Sequence, residues 1–126
     1  MATANALTNY GENATLDYLT TGSGTKYLAL FGTAVAEDGT GTELSGAWYA
    51  RKAVTFTAAA NGSTSNSANI DFGEVSGLDA TVNSWALFDA ATGGNAWVYG
   101  AFTTAKTASV GTNILIQSGD IVITAE

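Results

Sequence analysis

Glu37, Asp38 and Glu43 fall within one Gly-rich stretch, and grouped carboxylate oxygens are the ligands a hard cation such as Ca²⁺ takes. Their spacing matches no EF-hand loop, so the stretch reads as a solvated acidic loop. Paired carboxylates also hydrolyse glycosides without His, but sequence spacing sets no two of these acids across a cleft. Gly22-Ser-Gly24-Thr-Lys26 superficially resembles a phosphate loop. It lacks an adjacent Gly-Lys pair and runs into a strand pattern rather than a helix. Asn13-Ala-Thr15 and Asn61-Gly-Ser63 match the N-glycosylation pattern, and in a chain this rich in Asn, Ser and Thr they read as chance matches. The chain has no Cys and no His. Thiolate zinc sites, disulfides and thiol nucleophiles are excluded, and the usual general base and transition-metal ligand is missing. The expectation is no catalytic, cofactor-binding or metal-ligating residue.

The elements that must position these residues are mostly strands. Asn9 and Glu12 have capping-box spacing. Leu7, Tyr10, Ala14 and Tyr18 then recur at helical spacing, with Leu16 and Leu19 widening the stripe. This predicts a helix over residues 9–19, closed at Thr20-Thr21-Gly22 by a left-handed Gly. Residues 27–31 form a short apolar run, and 34–46 read as a long exposed loop. Residues 48–57 alternate, with Trp48, Ala50, Val54 and Phe56 on one face and Tyr49, Arg51, Ala53 and Thr55 on the other. Ala68, Ile70 and Phe72 alternate with Asn69 and Asp71. Residues 82–89 and 95–102 flank Ala-Ala-Thr-Gly-Gly as a hairpin, and 114–117 and 121–124 flank Ser118-Gly119-Asp120 as a second. The expected fold is all-β: an antiparallel β-sandwich or jelly-roll-like domain over residues 25–126. Residues 1–24 form an N-terminal arm and short helix that packs on the domain or on a partner.

Composition narrows the function. The 126 residues carry four Lys+Arg against eleven Asp+Glu, a net charge of −7 with only 12% charged residues. Such a surface repels phosphate backbones, which argues against nucleic acid as a partner. No run approaches the ~18 apolar residues of a membrane span, and residues 1–10 show no signal-peptide pattern. No internal repeat or heptad is present, so the chain reads as a knob rather than a rod.

One feature breaks the rule that sandwich strands are apolar on one face only. Trp85 and Leu87 oppose Val82, Ala86 and Phe88, while Trp97, Tyr99 and Ala101 oppose Ala96, Val98 and Phe102. The 114–116 and 121–123 segments are apolar on both sides as well. Each large side chain left in water forgoes roughly 1.5–3 kcal/mol of burial. A second chain is expected to cover what helix and loops do not, through a homo-oligomer, with a trimer favoured. Candidate interface residues are Tyr10, Leu16, Trp48, Tyr49, Arg51, Trp85, Trp97 and Tyr99. Arg51 and Lys52 make up half of all the positive charge and read as edge solubilisation. Alternatively, the planar fork of Arg51 meets a carboxylate of a neighbouring subunit.

Four blocks in order carry a resemblance: Tyr10-x-Glu12-Asn13-x-x-Leu16-Asp17-x-Leu19, Leu28-Ala-Leu-Phe31, Tyr49-Ala-Arg-Lys-Ala-Val-Thr-Phe56, and Trp85-Ala-Leu-Phe-Asp-Ala-Ala-Thr-Gly-Gly94. Together they resemble a family of small tailed-bacteriophage virion structural proteins, variously labelled decoration, head-fibre or tail-fibre-like proteins. The resemblance implies a structural role on the virion and transfers no catalytic residue. The leading expectation is a capsid decoration (cement) protein, made in the host cytoplasm and bound to the major capsid protein on the outer face of the head. The alternative is a tail-fibre or tail-tip module contacting host-surface glycan.

Overall fold

In the computed structural model, which describes residues 6–125, an extended Thr8 (φ −72°, ψ 166°) caps helix α1 (Asn9–Asp17) by accepting from the Gly11 N–H at 3.1 Å. The cap is therefore Thr8 and not Asn9. A wider π turn (Tyr18–Gly22) continues α1, and the glycine that leaves the helix with positive φ is Gly24, not Gly22. Within the turn the Thr20 hydroxyl donates to the Leu16 carbonyl, as the backbone demands where regular helix bonds are lost. Leu16 and Thr20 point inward, whereas Leu7, Tyr10 and Tyr18 face outward. The predicted stripe was offset by one face, because Leu16 rather than the tyrosines anchors the helix. The first five residues of the expected arm, and Glu126, lie outside the described residues.

Among the described residues eight strands follow: β1 (Lys26–Phe31), β2 (Lys52–Val54), β3 (Ser63–Ser65), β4 (Ile70–Glu74), β5 (Ala80–Phe88), β6 (Ala96–Ala108), β7 (Asn113–Ile116) and β8 (Val122–Thr124). The protein is mostly β, with antiparallel sheets and one short helix among the described residues. One sheet has the order β2-β1-β5-β6, and two ribbons pair β3 with β8 and β4 with β7. Leu28, Leu30, Trp85 and Leu87 of the large sheet meet Ile70, Phe72, Ile114, Ile116 and Ile123 of the ribbons, with Leu16 of α1, in one core.

Three local expectations change. The alternating 48–57 segment supplies only the three-residue β2, because Gly46 (φ +133°) and the Tyr49 N–H to Gly46 carbonyl bond turn its first part away. The expected 114–124 hairpin does not form, since β7 and β8 enter different ribbons. The cause is the buried side chain of Asn66. Its oxygen accepts from Gly119 and Ile121 N–H, and its amide donates to the Ala68 and Gln117 carbonyls. The wedge satisfies the turn and parts the strands. Finally, the second face of β5 is covered by this chain itself. Val35, on the loop between β1 and β2, packs with Ala29, Phe31, Ala86 and Phe88 in a separate small core. A partner is not needed there.

Candidate assembly and ligand-binding surfaces

The eight aromatic, apolar and basic candidates divide by what holds them. Leu16 and Trp85 are core residues, 2% and 6% exposed, and present almost nothing to a partner. Gly100 on β6 lies across the Trp85 ring so closely that a Cβ there would stand 2.7 Å from the indole. Sequence alternation marked Trp85 as two-sided, but the missing side chain opposite it was the signal for burial.

Arg51 is committed within the chain. Its Nε and one terminal nitrogen grip the Glu43 carboxylate at 3.0 and 2.9 Å, and the other terminal nitrogen donates to the Ala90 and Gly93 carbonyls. The guanidinium also lies 3.8 Å from the centre of the Phe88 ring. This fork ties the 33–43 strap to the turn between β5 and β6, so its donors are not free for a neighbouring subunit. Tyr49 joins the same knot: its hydroxyl donates to Glu43 at 2.6 Å, accepts from the Leu30 N–H, and its ring stacks on Phe72. Burial of Glu43 opposes ionisation, but the hydrogen bonds from Arg51 and Tyr49 outweigh it and hold the carboxyl below its ordinary value. Burial, with Glu43 beside it, pushes the Tyr49 phenol up. Among the described residues no three acids are grouped so as to hold a cation. Asp38 caps its own turn through Thr40, and Glu43 belongs to the arginine.

Trp97, Tyr99 and Tyr10 remain on the surface, 40%, 47% and 83% exposed. Trp97 and Tyr99 do not share a face as strict alternation predicted. In the β5–β6 register Tyr99 opposes Ala86, Val98 opposes Leu87 and Ala96 opposes Phe88, which leaves Trp97 as the extra residue of a bulge. Its ring sits 4.5 Å from the Lys26 ammonium, and its indole N–H donates to Asp89 at 3.1 Å. Lys26 is fully buried beneath it and donates to the Ser23 hydroxyl and the Gly24 carbonyl at the end of the π turn. Desolvation lowers the lysine's pKa, with Asp89 acting against it. From sequence, Lys26 enters only as the end of the phosphate-loop-like run and Asp89 not as a site residue, because nothing in their spacing links them to Trp97.

The β6 strand is the most open element. It runs 13 residues against a usual ~5–6. Among the described residues it pairs with β5 alone, so no other described strand covers its outer edge. Lys106 is its one charged residue, and residues 103–107 are exposed throughout. Leu115 on β7 and Val122 on β8 also stand about half exposed, the residue of the two-sided pattern that no internal element covers. Among the described residues, no helix is long and apolar enough to cross a membrane. The family model for the podophage GP4 fiber I protein gp80 matches residues 6–124. None of the curated proteins matches the chain.

Proposed function

The chain belongs to the podophage GP4 fiber I protein gp80 family, and from that premise we propose that it works as a non-catalytic oligomeric module on the outside of the particle, its copies meeting through the free edge of β6. Membership makes it a phage virion structural protein, of a fibre family rather than an enzyme family. The observation that carries the assembly reading is the long, uncovered and nearly uncharged edge of β6. Two bodies of charge −7 repel each other, so copies approach best where carboxylates are absent. An unpaired edge is also a template for another strand. The β5–β6 register steps from Lys106 to Ala101 and leaves residues 102–105 outside the ladder, so the edge is interrupted and supplies only part of a standard interface. The flanking side chains, Trp97 and Tyr99 first, must supply the rest.

The family name supports placement in a fibre. The second reading, decoration of the outer capsid face through the major capsid protein by a homotrimer, is favoured by the compact acidic body and the lack of shaft-like repeats. The large sheet facing two ribbons is read as a sandwich in either case, and a jelly-roll relationship to other virion domains belongs to this proposal too. Cryo-EM of virions carrying a tagged copy tests the placement. Density confined to fibres supports the first reading, density spread over the head supports the second, and no density on the particle contradicts both.

A further inference from the structure

We infer that the Asn61-Gly62 turn is a site of self-modification, in which Asn61 converts to aspartate and isoaspartate through a succinimide, and that helix α1 holds this site shut through Asn13. The chain contains the Asn-Gly pair once. It is the pair most open to this chemistry, because glycine carries no side chain to hinder ring closure. The Gly62 nitrogen gives up its proton and attacks the carboxamide carbon of Asn61. The new N–C bond closes the succinimide as the bond from that carbon to the side-chain nitrogen breaks, and the side-chain nitrogen leaves with the proton as ammonia. Water then opens the ring at one carbonyl to give aspartate, or at the other to give isoaspartate, whose main chain is a methylene longer.

The folded turn opposes ring closure. Ala60 and Ser63 exchange both backbone hydrogen bonds across it at 3.0 Å, and Asn61 and Gly62 have φ of +54° and +72°. This is a type I′ hairpin turn, and Asn61 is the one non-glycine residue with positive φ among the described residues. At the first corner of such a turn ψ is about +30°. That angle swings the Gly62 nitrogen away from the Asn61 Cβ, whereas the succinimide needs the two eclipsed. The nitrogen is also occupied. Its N–H donates to Asn13 Oδ1 on α1 at 3.0 Å, and the Gly62 carbonyl accepts from the Ala125 N–H. Glu12 stands beside the same glycine, its Oε1 3.4 Å from where a Cβ would lie. A carboxylate there disfavours the anionic nitrogen. Asp17 accepts from the Ala59 N–H at 2.8 Å, so α1 also holds the segment leading into the turn.

Gly62 is buried by these contacts, but Asn61 is exposed, so water reaches the carboxamide. The geometry of the backbone therefore sets the rate. Asn13 and Asn61 head the two triplets that match the glycosylation pattern, and the fold makes one the guard of the other. When α1 lifts, the turn opens and the reaction proceeds. The isoaspartate that forms cannot rebuild a two-residue corner, because the added methylene shifts the Ala60–Ser63 pairing on which the β3–β8 ribbon rests. The inference depends neither on oligomerisation nor on placement, since each copy holds both asparagines.

Incubation of the full chain at mildly alkaline pH tests it, with peptide mapping for aspartate and isoaspartate at position 61. The folded wild type should convert at least about tenfold more slowly than the chain in urea. Asn13→Ala, which removes the acceptor, should speed conversion of the folded chain about fivefold. Gly100→Ala, which weakens the β5–β6 pair instead, should leave the rate near wild type, because opening at α1 rather than global unfolding is limiting. Amide hydrogen exchange of the wild type keeps the test decisive if Asn13→Ala fails to fold: the Gly62 N–H should exchange slowly although it lies in a hairpin turn. Four results would overturn the inference: a folded wild type that converts as fast as the chain in urea, a folded Asn13→Ala no faster than wild type, a Gly100→Ala as fast as Asn13→Ala, or a Gly62 amide that exchanges as in a free peptide.

Discussion

At the scale of single residues, the structure turns on Glu43. Its carboxylate receives Arg51 and Tyr49 together and fastens the strap that shelters Phe31 and Phe88. Because its folded pKa lies below the unfolded value of 4.5, the folded state binds fewer protons, and its contribution is fully present above that value. The contribution is lost as pH falls through the lowered folded value. Asp38 and Asp89 are lowered as well and act in the same direction. Urea unfolding should show Glu43→Gln less stable than wild type by about 2 kcal/mol at neutral pH. The two curves should converge as the medium is acidified below 4.5. A gap that stays constant down to acid pH would contradict the knot. None of this was visible in the sequence, where Glu43 and Arg51 stand eight positions apart and neither helical nor strand periodicity joins them. An arginine with few basic companions was the available clue, and it pointed outward when the partner lay inside.

At the scale of elements, local pattern was informative where pairing is local. The apolar run of β1, the alternation of β4 and the hairpin of β5 with β6 were legible because a period of two and a Gly-rich turn lie within a few residues. The partners of β7 and β8 were not, since a buried asparagine some fifty residues away decides them. The helix was placed correctly, but its cap was displaced by one residue. Thr8→Ala should therefore cost about 1 kcal/mol by thermal unfolding and Asn9→Ala only a few tenths, and equal losses would return the cap to Asn9. Gly100 makes a second element-scale test. Adding a methyl 2.7 Å from the rigid Trp85 ring forces the β5–β6 pair apart or shifts the indole. Gly100→Ala is expected to destabilise by about 1–3 kcal/mol and to change the Trp85 emission spectrum. A neutral effect would mean that the ring has room to move.

At the scale of the whole molecule, the surplus of apolar strand surface is smaller than the sequence pattern predicts. The chain buries the second face of β5 with its own strap, and what stays open is β6 with Trp97 and Tyr99, plus Leu115 and Val122. Assembly then has one favoured seam rather than a general need for cover. Tyr99 is exposed on β6 and makes no hydrogen bond among the described residues, so Tyr99→Glu should leave thermal stability within about 0.5 kcal/mol. The same substitution adds a negative charge to a seam between two bodies that already repel. Sedimentation equilibrium of the intact chain with and without it measures the central claim directly. The wild type is expected to self-associate reversibly and Tyr99→Glu to sediment as the 12.8 kDa single chain. A wild type that remains a single chain at every concentration, or a Tyr99→Glu variant that associates as well as wild type, would contradict it.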